Sequence, residues 1–388
     1  MKKTNIFKLL ILSLTSMVCF SSCNSNIPIA SSQNSSQSTS NVATSSEQIS
    51  SSSSSESIQS NSSSSSEIIS SQQPSSEQIS SVPTSSIVSS QSSSVISSSQ
   101  EKPYSNFVSR MDSYIEDTND ALDPDNGGLT STEVQTIIST ISTYYASVDT
   151  TYKGQTLWNT LQTITTPTKL VSYGELRYSV KGNPYAEYVN GDKTKLVDFY
   201  TGAYINSEWD GGDTWNREHV WCYSHFKSGA KRPSDSTRNG LTDLHHLRPS
   251  DPGINSSRNN SLYGEVPNRD TYKKTKNLGG TTYTYGYLTG NLHADGVFEP
   301  TDRMKGDVAR ILLYMVVRYA GEINPITSIV YTSQGTVDSA YQLLLKWHNE
   351  DPVSNFEIRR NHRTYEVQGN RNPFIDVPSY ADAIFANL

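Results

Sequence analysis

Serine dominates the chain from about Asn24 to Gln100, with Gln, Glu, Val and Ile scattered through it. No apolar period of 3.6 or 2 runs through this stretch with enough mass to bury. Such a segment cannot offset its ordering entropy, so a disordered linker is predicted over 23–101. Any folded body must then come from residues 102–388. These roughly 285 residues are enough for one large domain or two intimate ones.

The residues before the linker read as an export segment. Lys3 and Lys8 flank the start of an apolar run, Leu9 to Phe20, which is shorter than the roughly 18–20 residues of a membrane span. A basic start and a short apolar stretch predict a signal peptide over 1–22. Small residues then lead to Cys23, as in a bacterial lipobox, although Phe20 stands where Leu is usual. Lipidation of Cys23 would tether the protein to the outer face of a membrane, with the linker as a stalk. The other reading is a plain secreted protein. Of the three cysteines, 19, 23 and 222, only Cys222 lies in the folded region, so no disulfide can form within it.

Helical periodicity marks several segments of 102–388. Val134, Ile137, Ile138 and Ile141 predict a helix after Thr130, and "GQTLWNTLQTI" predicts a second. Thr301 to Glu322 predicts a strong helix with a buried stripe through Met304, Val308, Ile311, Leu312, Met315, Val316 and Tyr319. Two more helices should flank Asp351-Pro352. "KLVSYGELRYSV" and "TKLVDFYTGAYI" carry β-branched and aromatic residues and read as strands. Between Trp209 and Gly280 the chain is polar and largely aperiodic, as functional regions often are. The fold class expected is α+β and helix-rich.

Charge is uneven. Lys and Arg number 31 against 38 Asp and Glu, a net −7 that argues against a generally basic nucleic-acid binder. Yet Trp215 to Lys276 holds 11 basic and 6 acidic residues, a local +5. Within this stretch lie Arg217-Glu218-His219, then "TDLHHLRPSD", then "GINSSRNN". A hard divalent cation takes oxygen ligands, for which Glu218 and Asn255 are candidates. A neutral imidazole at His219 is suited to accept a proton from water. Arg248 and Arg258 are candidates to hold a phosphodiester by charge-assisted bonds. On a strand, Glu218 and His219 should point to opposite faces, and only a twist at the strand end would bring them together.

"WNREHVW", "TDLHHLRPSD" and "INSSRNN", in this order, resemble the bacterial endonuclease I family, as do the segments around 298–319 and 343–376. The resemblance implies a ββα-metal (His-Me finger) core that cleaves DNA, and often RNA, without sequence specificity. It implies His219 as general base, Glu218 and Asn255 as ligands of Mg²⁺ (Mn²⁺ or Ca²⁺ being alternatives), and an arginine that stabilises the cleaved phosphate. Arg238 is taken for that arginine, with Arg232 the other candidate. Arg217, Arg248 and Arg258 are expected to bind substrate. Asp243 and His245 are expected to support the site, with His246 as a structural neighbour. The chain is expected to act as a monomer on nucleic acid.

Two other functions fit parts of the sequence. One is a zinc hydrolase using His219, His225, His245 and His246, although no HExxH helix is present. The other is a non-enzymatic surface adhesin, suggested by the stalk alone. His225 reads as a loop residue, Cys222 as a small buried filler, and Arg303 as a partner in a buried ion pair.

Overall fold

A computed structural model describes residues 129–386 apart from Ser228 and Ala230. The expected signal peptide, Cys23 and the serine-rich linker lie outside the described residues.

Helix α1 (Ser131–Tyr144) starts at a reciprocal cap: Thr130 accepts from the Glu133 amide, and the Glu133 carboxylate accepts from the Thr130 amide at 2.8 Å. It buries Val134, Ile137 and Ile141. Helix α2 (Gly154–Ile164) buries Leu157 and Leu161. The strand expected over 169–180 is absent. Those residues form turns and a single 3-10 turn at Glu175–Arg177. Their backbone bonds go sideways, from Tyr173 N to Thr237 O (3.0 Å) and from Gly174 N to Asp235 O (2.9 Å). Val171, Tyr173 and Leu176 pack with Leu244 and Leu247, so burial without pleating produced the strand-like composition.

Helix α3 (Asn183–Glu187) leads into β1 (Tyr188–Val189), β2 (Asp192–Val197) and β3 (Tyr204–Asn206), an antiparallel sheet in that order. Strands β4 (Asn216–His219) and β5 (Leu247–Ser250) form their own antiparallel pair, followed at once by helix α4 (Pro252–Arg258). Strand β6 (Leu262–Tyr263), helix α5 (Arg269–Tyr272), and strands β7 (Lys273–Leu278), β8 (Thr281–Thr289) and β9 (Val297–Glu299) follow. They give a mixed sheet ordered β6-β9-β8-β7, with β6 and β9 parallel. The region read as largely irregular is thus built of short elements, each too brief to show a period.

Helix α6 (Asp302–Tyr319) is buried over 15 of its 18 residues, so it is a central helix rather than one with an apolar stripe. Polar residues on it are paired: Lys305 Nζ lies 2.8 Å from Glu299, and Arg310 binds both oxygens of Glu357 at 2.7 Å. Arg303 makes no ion pair among the described residues; it donates to the Thr201 carbonyl. Helix α7 (Val337–Glu350) packs along α6, and α8 (Asn355–Gln368) follows the Asp351-Pro352 break. A Cβ on Gly306 would collide with the Asp351 carbonyl oxygen, so α6 approaches this break too closely for any side chain. Helices α9 (Pro373–Asp376) and α10 (Tyr380–Phe385) close the fold.

The two ends of this region are bound together. Tyr145 donates to Asp376 at 2.8 Å across 231 residues, and Arg359 reaches Glu133 at 3.1 Å. Chain-distant bonds also fix the segment before β5. Gln368 donates to Asp243 at 2.6 Å, and Arg360 donates to the carbonyls of Leu244 and Leu247. The architecture is α+β and helix-rich, as expected from sequence.

Candidate active site

Strand β4 pairs Glu218 with Arg248 and His219 with Leu247. After β5 the chain turns directly into α4. Asp251 caps that helix by accepting from the amides of Gly253 (2.8 Å) and Ile254 (3.0 Å), and Pro252 takes the first-turn position where no N–H is required. This sharp entry places Asn255 on the first turn, beside the end of β4. Tyr173, Glu218, His219, Arg232, Asn255 and Arg258 together line a cavity of about 330 Å³. Glu218 and His219 therefore do reach one cavity, His219 being the last residue of its strand.

The Glu218 side chain is buried. Its Oε1 accepts from the Tyr200 hydroxyl at 2.7 Å and lies 3.3 Å from Arg258 Nη1. Burial pushes its carboxyl above the usual range, while Arg258 and Tyr200 oppose that shift. His219 is buried too, with its ring stacked on Tyr173 at 5.8 Å. Its Nε2 lies 3.1 Å from the Leu241 carbonyl oxygen. A carbonyl only accepts, so Nε2 carries the proton and Nδ1 keeps its lone pair. Burial holds the imidazole well below 6.5, reinforced by His246, Arg217 and Arg258 and opposed by the Leu241 bond. The ring is therefore neutral at neutral pH, with Nδ1 as the basic nitrogen.

Asn255 is half-buried, and its side-chain amide forms no hydrogen bond among the described residues. One carboxylate and one free amide oxygen at the same cavity are a sparse, all-oxygen donor set. That fits a hard divalent cation that keeps several waters.

The arginines sort differently from the sequence reading. Arg232 is exposed and lines the cavity. Arg238 does not; it donates to Glu175 at 2.8 Å beside a different cavity. Arg248 is turned away and buried, with Nε and Nη2 on the two oxygens of Glu187 at 2.6 and 3.2 Å. The same Glu187 receives Arg360. Arg258 lines the cavity but is fully buried. Its guanidinium donates to the carbonyls of Val220 (3.0 Å) and Asn259 (2.9 Å) and to Cys222 Sγ (2.7 Å), bolting α4 to the end of β4. Arg217 also lines the cavity, with its guanidinium 3.7 Å from the Tyr173 ring centroid and bonded to the Tyr173 carbonyl.

The remaining polar residues are structural. Asp243 accepts from Tyr314 (2.6 Å), Tyr319 (2.7 Å) and Gln368 (2.6 Å). His245 Nε2 donates to the Asn370 carbonyl at 3.2 Å, and His246 Nε2 to that of Gly240 at 2.8 Å. Cys222 is buried, and burial pushes its thiol up. His225 is half-buried in a 3-10 turn. Among the described residues no group of three or more His, Cys, Asp or Glu side chains is placed to hold a metal, which removes the geometric basis for a four-histidine zinc site.

Sequence reasoning missed Tyr200, Tyr173 and the Leu241 carbonyl, all of which hold the site. Their signal was the tyrosine excess, which carries no address by itself.

A short two-stranded unit thus delivers a neutral imidazole and oxygen donors to one cavity. Residues 134–379 match the family model described as Endonuclease I. The chain belongs to the endonuclease I family and is an endonuclease. It is 34% identical over 254 residues to an extracellular ribonuclease of Bacillus subtilis, covering 62% of this chain and 80% of that protein. It is 28% identical over 171 residues to Endonuclease-1 of Buchnera aphidicola, covering 41% of this chain and 60% of the relative. An extracellular deoxyribonuclease of Aeromonas hydrophila is 26% identical over 171 residues, covering 41% of this chain and 64% of its own length. The adhesin reading gives way to these findings.

Proposed function

We propose that the protein is a secreted or lipid-anchored, metal-dependent endonuclease that hydrolyses the phosphodiester backbone without regard to sequence. The observation that carries this reading is the fixed tautomer of His219. With Nε2 committed to Leu241, Nδ1 is free to take a proton from the attacking water. Glu218 and Asn255 would hold the divalent cation, with Mg²⁺ the expected ion. When bound, the cation supplies Lewis-acid stabilisation of charge building on the phosphate. Arg232 replaces Arg238 as the arginine that contacts the phosphate. Arg258 positions Glu218 and α4, and Arg217 orders Tyr173 against His219.

Relatives named as ribonuclease and as deoxyribonuclease both support a backbone-directed activity open to DNA and RNA. Relatives named extracellular support export; the segment 1–22 as its signal and Cys23 as a lipid anchor rest on the sequence pattern alone.

The test is cleavage of plasmid DNA and of RNA by the purified protein, with and without Mg²⁺, beside His219→Ala. The variant should fold and lose about 10²–10⁴-fold in kcat, the usual cost of a missing acid–base group. Wild-type rates in His219→Ala would remove the assignment.

A further inference from the structure

Trp209 lines a second, larger cavity and touches a wall residue of the catalytic one. Arg217, which lines the catalytic cavity, lies 5.2 Å from the Trp209 ring centroid. Arg177 lies 5.5 Å from the same ring. Trp209 and Arg177 both line a groove of about 1320 Å³, which also takes in Tyr178, Tyr185 and Tyr188. One contact, Arg217 against the Trp209 ring, thus joins a wall of the groove to a wall of the catalytic cavity.

Its walls are unusual for the surface of this protein. Four large apolar side chains are exposed among the described residues, and two of them, Tyr178 (57%) and Val180 (73%), line this groove. The Tyr178 ring makes no aromatic or cation contact among the described residues, so its face is open. Five Lys and Arg side chains line the groove against three Glu. Glu175 engages Lys181 (3.5 Å) and Arg238 (2.8 Å) together, and Arg177 pairs with Asp235, so Lys169 and Lys193 are the groove bases that form no ion pair among the described residues.

We propose that this groove binds the unpaired strand of the nucleic acid being cut, with a base stacked on Tyr178 and flanking phosphates near Lys169 and Lys193. The inference rests on the reading of the catalytic cavity only in that nucleic acid is the substrate. Open aromatic faces select splayed bases, because a duplex hides its base faces in the stack. A basic rim complements a phosphate backbone. An apolar peptide would have no use for that rim, nor for a contact with a wall of the catalytic cavity.

The experiment measures KM with the full-length protein in Mg²⁺. Substrates are single strands of about 3 and about 12 nucleotides, below and within the roughly 4–16 nucleotides that single-strand grooves span, and a duplex of the longer sequence. For wild type, KM should be lower for the longer single strand than for the short one. Tyr178→Ala should erase most of that length advantage, raising KM for the longer strand about 5–100-fold, the range of one lost stacking contact. Tyr178→Trp should restore it. Three results would each overturn the proposal: no length advantage in wild type, an unchanged advantage in Tyr178→Ala, or an equal rise in KM for the duplex. His219→Ala is assayed in parallel. Failure of that variant to lose activity would count against the catalytic assignment and leave the length dependence to judge the groove by itself.

Discussion

The Tyr200 hydroxyl lies 2.7 Å from Glu218 Oε1 and 2.8 Å from the Tyr263 hydroxyl, so two phenols in series anchor the carboxylate of β4. Tyr200→Phe removes the middle of that chain. A buried acceptor left without its donor costs about 1–3 kcal/mol. The denaturation midpoint should fall accordingly, and the Mg²⁺ concentration for half activity should shift as Glu218 loses its fixed orientation. An unchanged metal titration would show that Tyr200 serves stability alone.

Glu218→Ala and Asn255→Ala should each raise the Mg²⁺ needed for half activity, since each removes one of the two oxygen ligands proposed for the cation. EDTA should abolish cleavage, and added Mg²⁺ should restore it in wild type. If both variants titrate like wild type, the cation sits elsewhere.

Arg232 and Arg248 should part company. Arg248→Ala removes one of the two buried guanidiniums on Glu187, Arg360 remaining, and should destabilise the fold by about 1.5–3 kcal/mol, as for a lost hydrogen bond to a charged group. Arg232→Ala should leave the urea midpoint in place and lower kcat/KM by about 10–100-fold, the value of a charge-assisted contact to phosphate. Urea melts and initial rates on both variants decide between these roles.

Acid should loosen the protein through His245 and His246. Both are buried, and burial holds each at about 4 rather than 6.5. Asp243 opposes the shift for both, while Arg360 adds to it for both and Arg371 for His245. His219 also packs near His246, at 5.6 Å between rings. Below about pH 6.5 the unfolded chain takes up protons that the folded chain refuses until about pH 4. Stability is therefore full above that window and falls as pH drops through it, by about 2 kcal/mol per histidine at pH 5. Urea midpoints at pH 7 and pH 5 should differ less in His246→Gln than in wild type. An equal difference in the two proteins would rule out His246 as a source.

Periodicity in the sequence located the helices, because helices of 11 to 18 residues repeat their pattern several times. It could not locate β4 and β5, four residues each, which only the ordered motifs pointed to. Composition misled at 169–180, where buried apolar residues sit in turns rather than on a pleat. The arginines were the least legible. Arg248 and Arg232 look equally basic in the sequence. What separates them is Glu187, 61 residues before Arg248, which no local pattern connects to it.

The bonds that tie Asp243, Leu244 and His245 to Gln368, Arg360 and Asn370 also govern when the enzyme can come into being. Partners 116 to 125 residues apart must meet before the segment leading into β5 is set. Contacts of such long range form late in folding and slowly. A chain emerging from synthesis carries Glu218 and His219 long before it carries the helix that fixes their neighbours. The segment that leads into β5 therefore waits on residues 360–370, although β4 and β5 themselves are made more than a hundred residues earlier.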